Sequence, residues 1–529
     1  MNDATHKNTY DELPYDGNSY AYSHPDRLAV VARLFGMAPA PLRNCRVLEL
    51  ACASGANLIP MAASMPDATF VGLDLSPRQI AAGRARIAAL GLTNIELREA
   101  DIATVGPSLP VFDYIIAHGV FSWVPPQVQE ALLALCAAHL SAQGVAFVSY
   151  NTYPGWRMRG TIRDIMQYHA RQFDGATTQV QQARAVLDFI AQSALAEDSP
   201  YARQLKADVE DLRNQSDSYL YHEFLEPVNL PVYFHQFVER SSRHGLQYLG
   251  DAEFRSMMPH HLPAPVAQTL QKIAPDLVRV EQYMDFLHNR AFRQTLLVHR
   301  EVALRRTLEG GVLVDMEIAS GARANRLPVD ERSDAMAEYT LPNGMSLQLA
   351  SPITKAAFSV LALHWPQTVP FRELCSAARS RLGTLPTAAP DPAQAAKDAE
   401  VLARELVPMA AAGIVELRTG HAPFTLQVRE RPEVWAVARL AAADGSMVPN
   451  LRHEIVKLDE FNRQLAMRLD GTRDRATVAA ELALLVESGA LAIQRDGGNV
   501  TEPAAVRAAM MKAVDDNVAT FARAALYPE

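Results

Sequence analysis

Three carboxylates, Glu49, Asp74 and Asp101, each sit at or near the end of a short apolar run, in VLELA, FVGLDL and ELREAD. Carboxylates at successive strand ends can share one ligand. A residue after a second strand can take both hydroxyls of a ribose through its two oxygens, as acidic residues do in dinucleotide folds. One after a third strand can accept from an adenine amino group, and one beside the first loop can orient a cationic tail. The loop following Glu49, ELACASGANLIPMA (49–62), looks like a glycine-rich nucleotide loop in which alanine has replaced most glycines. Read as AxAxxA (Ala51, Ala53, Ala56), it is a degraded dinucleotide fingerprint, and a methyl group would obstruct the close approach of a pyrophosphate. The other reading is ExAxAxG (Glu49, Ala51, Ala53, Gly55), in which both alanines are expected to keep ordinary backbone angles.

Positioning these groups requires a parallel sheet. Apolar runs alternate with helical patterns to about residue 150, the signature of βαβ units and a doubly wound α/β fold. The expected strands are CRVLELA (45–51), TFVGLDL (69–75), NIELREAD (94–101), FDYIIAHGVF (112–121) and GVAFVSYN (144–151). After the second strand, Ser76 suits a helix N-cap, Pro77 the first helical position and Gly91 the stop, with Ile80, Gly83, Ile87 and Leu90 at helical spacing. Ligands of such sheets lie outside the carboxyl ends of the strands.

Bulk properties exclude several classes. The 529-residue chain is 49% hydrophobic and 21% charged, enough for two or three domains with their own cores. A formal charge of -9 argues against a broad nucleic-acid footprint. No apolar run approaches the roughly 18 residues of a membrane span, so no membrane insertion is expected. The polar, acidic start MNDATHKNTYDELPY lacks the basic flank and apolar core of a secretory signal, which predicts a cytoplasmic location. Cys45, Cys52, Cys136 and Cys375 lie far apart, predicting reduced thiols with no disulfide and no metal site. His260 and His261, without other ligands at suitable spacing, read as a surface loop, and the aromatics of PVYFHQF (231–237) as core.

The ExAxAxG loop and its strand-end acids resemble the class I S-adenosylmethionine-dependent methyltransferases. The segments YDELPYDGNSYAYSHPDRLAVVARLFG (10–36), IIAHGVFSWVP (115–125), SYNTYPGW (149–156), YLYHEFLEPVNLPVYFHQFVERSSRHGLQYLGDAEF (219–254) and NRAFRQTLLVH (289–299) are similar to landmarks of bacterial members carrying a methyltransferase regulatory domain. The type members of that group methylate lysines of outer-membrane proteins. The resemblance implies a seven-stranded, Rossmann-like class I methyltransferase sheet with a helical insertion, plus an α+β winged-helix-like C-terminal domain. It implies a cofactor core at 1–156, an insertion at 157–230 for dimerisation or a lid, a regulatory region at 231–305 completing the sheet, and a C-terminal domain at 306–529. Strands six and seven are expected within 237–254 and 291–300.

The cofactor implied is S-adenosyl-L-methionine, held by Glu49, Ala51, Ala53, Gly55, Asn57, Asp74, Leu75, Asp101, Ile102 and His118. Tyr10, Tyr15, Trp123, Tyr153 and Trp156 are expected to face the methyl acceptor, with His118, Trp123, Asn151 and Tyr153 closest to the chemistry. An aromatic channel with amide acceptors would desolvate a lysine amine and favour a sulfonium by cation–π attraction. The alternative for Trp123 and Trp156 is simple packing of the insertion onto the sheet.

Residues 339–349, YTLPNGMSLQL, read as a hairpin with Asn-Gly at the turn, followed by three helices (ITKAAFSVLALHW, FRELCSAARSRLG, AKDAEVLARELVPMAAAG) running into a strand. Their mixed charge favours a protein partner over nucleic acid. Val186, Leu187, Phe189 and Ile190 of the insertion are expected to bury against another subunit or domain, most simply in a homodimer. Three functions stay open at this point: protein-lysine N-methyltransferase, with an outer-membrane protein before export as one candidate substrate; small-molecule methyltransferase; and noncatalytic binding protein.

Overall fold

The computed structural model describes residues 13, 17–106, 109–194, 199–257, 262–383, 392–492, 494–495, 498–499 and 502–529. The chain divides into two compact units. The first comprises Met1–Gly17, Met37–Ile59 and Asp67–Leu304; the second comprises Asn18–Gly36, Pro60–Pro66 and Arg305–Glu529.

The first unit is built on strands β1 (Arg46–Leu50), β2 (Thr69–Asp74), β3 (Ile95–Glu99), β4 (Phe112–Ala117), β5 (Leu140–Asn151), β6 (Leu246–Asp251) and β7 (Phe292–His299). Their order in the sheet is β3-β2-β1-β4-β5-β7-β6. The first five run parallel, and β7 enters antiparallel between β5 and β6, pairing Asn151 with Phe292. Val145 to Val148 are all fully buried, as a central strand covered on both faces requires. The helix Pro126–His139 lays Leu132, Leu133 and Cys136 on this sheet, and Phe237 of helix Phe234–Arg243 joins the same core. Each such leucine contributes about 2 kcal/mol or more.

Helix Pro77–Leu90 starts and stops as its sequence dictates. Ser76 Oγ accepts from the Gln79 N–H, and Gly91 ends it in the left-handed region at φ 64°. Ile80 and Gly83 are buried while Ile87 and Leu90 are only half-buried, so the apolar face narrows towards the C-terminus. A Cβ on Gly83 would lie 2.6 Å from the Ser54 carbonyl, which shows how closely this helix approaches the loop after β1.

The insertion between β5 and β6 consists of helices Gly155–Ala170, Ala176–Ala194 and Pro200–Arg213, then a short helix and a π-helical turn at Tyr221–Leu225. It has a core of its own that includes Ile162, Met166, Val180, Leu187, Leu205 and Phe224. Of the apolar positions singled out above, Leu187 is buried there and Phe189 is 67% exposed, because helical periodicity places them on different faces.

In the second unit the expected hairpin forms between Ala337–Thr340 and Ser346–Leu349, with Gly344 at φ 83°. The three helices follow at Pro352–His364, Phe371–Arg381 and Pro392–Ala411, ahead of strand Glu416–Arg418. The helix Pro25–Leu34 packs in this unit, whereas the sequence placed it with the cofactor core. Ion pairing explains the difference: Arg27 reaches Glu416 at 3.0 Å, and Asp26 Oδ1 accepts from the Thr419 N–H at 2.7 Å and its hydroxyl at 2.6 Å. The four cysteines are free and buried. Among the described residues no group of three or more His, Cys, Asp or Glu could hold a metal ion, and no helix is long and apolar enough to cross a membrane. His260 and His261 lie outside the described residues.

Candidate active site

Glu49 sits in β1 one residue from its end and is 4% exposed. Its Oε1 accepts from Asn57 Nδ2 at 2.7 Å, while Oε2 has no hydrogen-bond partner among the described residues. Burial raises the carboxyl's pKa to about 8, against the hydrogen bond from Asn57 and with added repulsion from Asp74. A buried, half-satisfied carboxyl is costly in isolation. A cationic donor placed against Oε2 would remove that cost.

The loop after Glu49 corrects one expectation. Ala51 and Ala53 have φ of 57° and 48°, and Gly55 follows at 73°. The alanines therefore occupy the left-handed region that the missing glycines would fill, where an L-residue costs about 1 to 2 kcal/mol. Tertiary bonds hold the turn in place: the Cys52 N–H donates to the Leu73 carbonyl at 3.0 Å, Gly55 N–H to Cys52 O at 2.8 Å, and Ala53 N–H to Asp74 Oδ2 at 2.8 Å. Asp74, closing β2, also accepts the Ser76 N–H through Oδ1 at 2.8 Å, so backbone donors on both sides fix the orientation of its two oxygens. Leu75 beside it is 63% exposed, an apolar platform next to a polar anchor. Asp101 accepts the Ala103 N–H at 2.8 Å and fixes the turn after β3, and Ile102 packs against the core. From the N-terminal side Gly17 crosses the loop so closely that a Cβ there would lie 2.7 Å from that of Ala56.

A second group gathers past β4 and β5. His118 Nδ1 lies 2.9 Å from Ser149 Oγ, and burial lowers its pKa to about 4, so the ring is neutral. Its ring meets Phe147 and, edge-on, Phe292. Asn151 donates its backbone N–H to Ser122 Oγ at 2.9 Å and its Nδ2 to Asn229 Oδ1 at 3.1 Å. Trp123 stands at 81° to Trp156, which is 2% exposed and also contacts Phe224 of the π-helical turn. That arrangement packs Trp156 between the insertion and the turn after β4. Tyr153 faces Tyr233, with the Arg157 guanidinium 4.1 Å above its ring. Tyr10 and Tyr15 lie outside the described residues.

Ser122, Ser149 and Asn229 were not singled out in the sequence. The serines lie inside the quoted segments IIAHGVFSWVP and SYNTYPGW, but a hydroxyl carries no charge or periodicity to mark it. Asn229 reaches Asn151 across 78 residues of sequence.

Comparison with known proteins gives these features a common origin. Residues 47–144 match the family model described as "Methyltransferase domain", 216–299 match "Predicted methyltransferase regulatory domain", and 430–526 match "PKMT, C-terminal winged helix domain". The uncharacterized protein RP789 of Rickettsia prowazekii is 33% identical over 508 residues, covering 94% of this chain and 90% of that protein. This chain belongs to the class I S-adenosylmethionine-dependent methyltransferases with a methyltransferase regulatory domain. The methyltransferase is also similar in structure to PKMT2 from Rickettsia typhi, with TM-score 0.86, 28% identity and coverage of 97% of this chain and 100% of that one. The same protein in complex with AdoHcy gives TM-score 0.85 and 29% identity. The winged-helix match of the methyltransferase falls at 430–526, within the C-terminal unit and after the three helices that lead to strand Glu416–Arg418.

Proposed function

We propose that this methyltransferase methylates lysine amines of a protein substrate, and that Glu49, Ala51, Ala53, Gly55, Asn57, Asp74, Leu75, Asp101, Ile102 and His118 hold its cofactor. The observation carrying the protein-lysine assignment is the likeness to PKMT2, which extends through the insertion and the C-terminal unit as well as the cofactor core and agrees with the PKMT winged-helix match and with the resemblance read from the sequence. The insertion and the C-terminal unit exceed what a minimal sheet needs, which favours a large partner.

The residues fit the cofactor. The orphan Oε2 of Glu49 suits the ammonium of a methionine tail, Asp74 suits ribose hydroxyls, and exposed Leu75 suits a base face. When bound, S-adenosylmethionine supplies a methyl group activated on a sulfonium. The protein must then present a neutral amine, and holding lysine neutral at pH 7 costs roughly 4 to 5 kcal/mol from its ordinary pKa. Desolvation beside Trp123 and Tyr153, with Asn151 accepting from the amine, supplies part of that. The substrate would be an outer-membrane protein met in the cytoplasm before export, and the enzyme would act as a homodimer through its insertion.

Incubating the protein with labelled cofactor and a cell-envelope protein extract, followed by mass spectrometry, tests the reading. Methyl-lysine in the labelled protein supports it. Label only on carboxylates, cysteine or a small metabolite sinks the lysine assignment.

A further inference from the structure

We propose that Ser149 is a positioning residue that fixes His118 as the tautomer protonated on Nε2, so that His118 works as a hydrogen-bond donor and not as a proton acceptor. Ser149 lies in β5 and is 0% exposed. Its hydroxyl oxygen accepts the Gly119 N–H at 2.8 Å and lies 2.9 Å from His118 Nδ1. A buried hydroxyl hydrogen without an acceptor costs about 1 to 3 kcal/mol. Were Nδ1 protonated, Ser149 Oγ would receive two donors, and its own hydrogen would have no acceptor among the described residues. With Nδ1 unprotonated, Oγ accepts from Gly119 and donates to the ring, and all three groups are satisfied. The hydrogen of the neutral imidazole must then sit on Nε2, the opposite side of the ring.

The Gly119 N–H is part of the device. Gly119 follows His118 directly and has φ 67°, the left-handed conformation glycine adopts freely. The same turn that ends β4 thus aims a backbone donor and an imidazole at one hydroxyl. The low pKa of His118, caused by burial, agrees with a ring that stays neutral. The consequence for the reaction is specific: Nδ1 is occupied and Nε2 already carries hydrogen, so the proton of an incoming ammonium must leave by another route, to solvent before the amine is enclosed.

Selective nitrogen-15 labelling of histidine in the full-length protein tests this, with the His118 signals assigned by their loss in His118→Gln. The expected spectrum at pH 7 shows His118 with Nε2 protonated and Nδ1 as acceptor, and Ser149→Ala shifts it to a tautomer mixture. In the same variant, turnover on protein should fall about two- to tenfold, the value of one hydrogen bond, with cofactor KM changed less than twofold. Ser149→Thr, which keeps the hydroxyl, should retain the wild-type ring signals. Protonation on Nδ1 in the wild type overturns the proposal, as does a Ser149→Ala spectrum identical to wild type. The spectra need no turnover, so they stand apart from the lysine assignment; if the threonine variant does not fold, the wild-type spectrum alone decides.

Discussion

Binding of the cofactor should expel a proton from Glu49. With a pKa of about 8, the Glu49 carboxyl is about 0.9 protonated at pH 7 before binding. Setting a fixed ammonium against its buried Oε2 favours the charged form and drops the pKa towards the ordinary range. About 0.9 proton is then released at pH 7, and the logarithm of the association constant rises by nearly one per pH unit up to pH 7, flattening above about 8. Stability of the free protein runs the other way. A carboxyl whose pKa is raised by folding favours the folded state most below its unfolded value, and that advantage is lost as pH rises from about 4.5 to about 8, by roughly 5 kcal/mol at the upper limit. Calorimetry in buffers of different ionisation enthalpy measures the proton count directly. Glu49→Gln should abolish the release and flatten the pH dependence of affinity. A wild-type count near zero at pH 7 would refute the reasoning, because Glu49 would then already be charged or would not meet the cation.

Ala51→Gly and Ala53→Gly relieve about 1 to 2 kcal/mol of left-handed backbone each, against about 0.4 to 1 kcal/mol of chain entropy and part of a methyl burial. The double variant should melt slightly higher with cofactor affinity preserved, and a drop of several degrees would show the methyls to be packed. Asp74→Ala should weaken the cofactor by about 1 to 3 kcal/mol in calorimetry; unchanged affinity would remove it from the site. Arg293 is fully buried between Glu281 at 2.9 Å and Asp285 at 2.7 Å, so Arg293→Met should cost about 3 to 5 kcal/mol in denaturant melts by taking the cation from buried Glu281 and leaving Asp285 with Arg290 alone. Light scattering at micromolar concentration should return a dimer mass, and a monomer mass would contradict the homodimer.

Elements governed by local pattern were legible in the sequence. The five parallel strands, the Ser76 cap, the Gly91 stop and the Asn-Gly turn each follow from a few neighbouring residues, and the structure places them where those residues lie. The backbone of Ala51 and Ala53 was not legible, since residue type argues against the left-handed region and it is the bonds donated to Leu73 and Asp74 that enforce it. Long-range polar pairing was equally hidden. Nothing near Asn151 announces Asn229, and nothing near Asp26 announces Thr419.

That last pairing bears on how the chain is made. Asp26 and Thr419 are separated by 393 positions, and Leu28 and Ala32 of the same helix are fully buried in the folded chain. At about 5 to 20 residues per second of synthesis, the helix Pro25–Leu34 emerges roughly 20 to 80 seconds before its ion-pair partners exist. During that interval its apolar face and its two charges must be tolerated unburied on the ribosome, while the strands from Arg46 to Asn151 are already available to pair. Synthesis of the segment around Glu416–Thr419, and not the completion of the sheet, is the event that gives this helix its polar partners. A fragment ending near residue 340 would leave that helix in its nascent condition permanently.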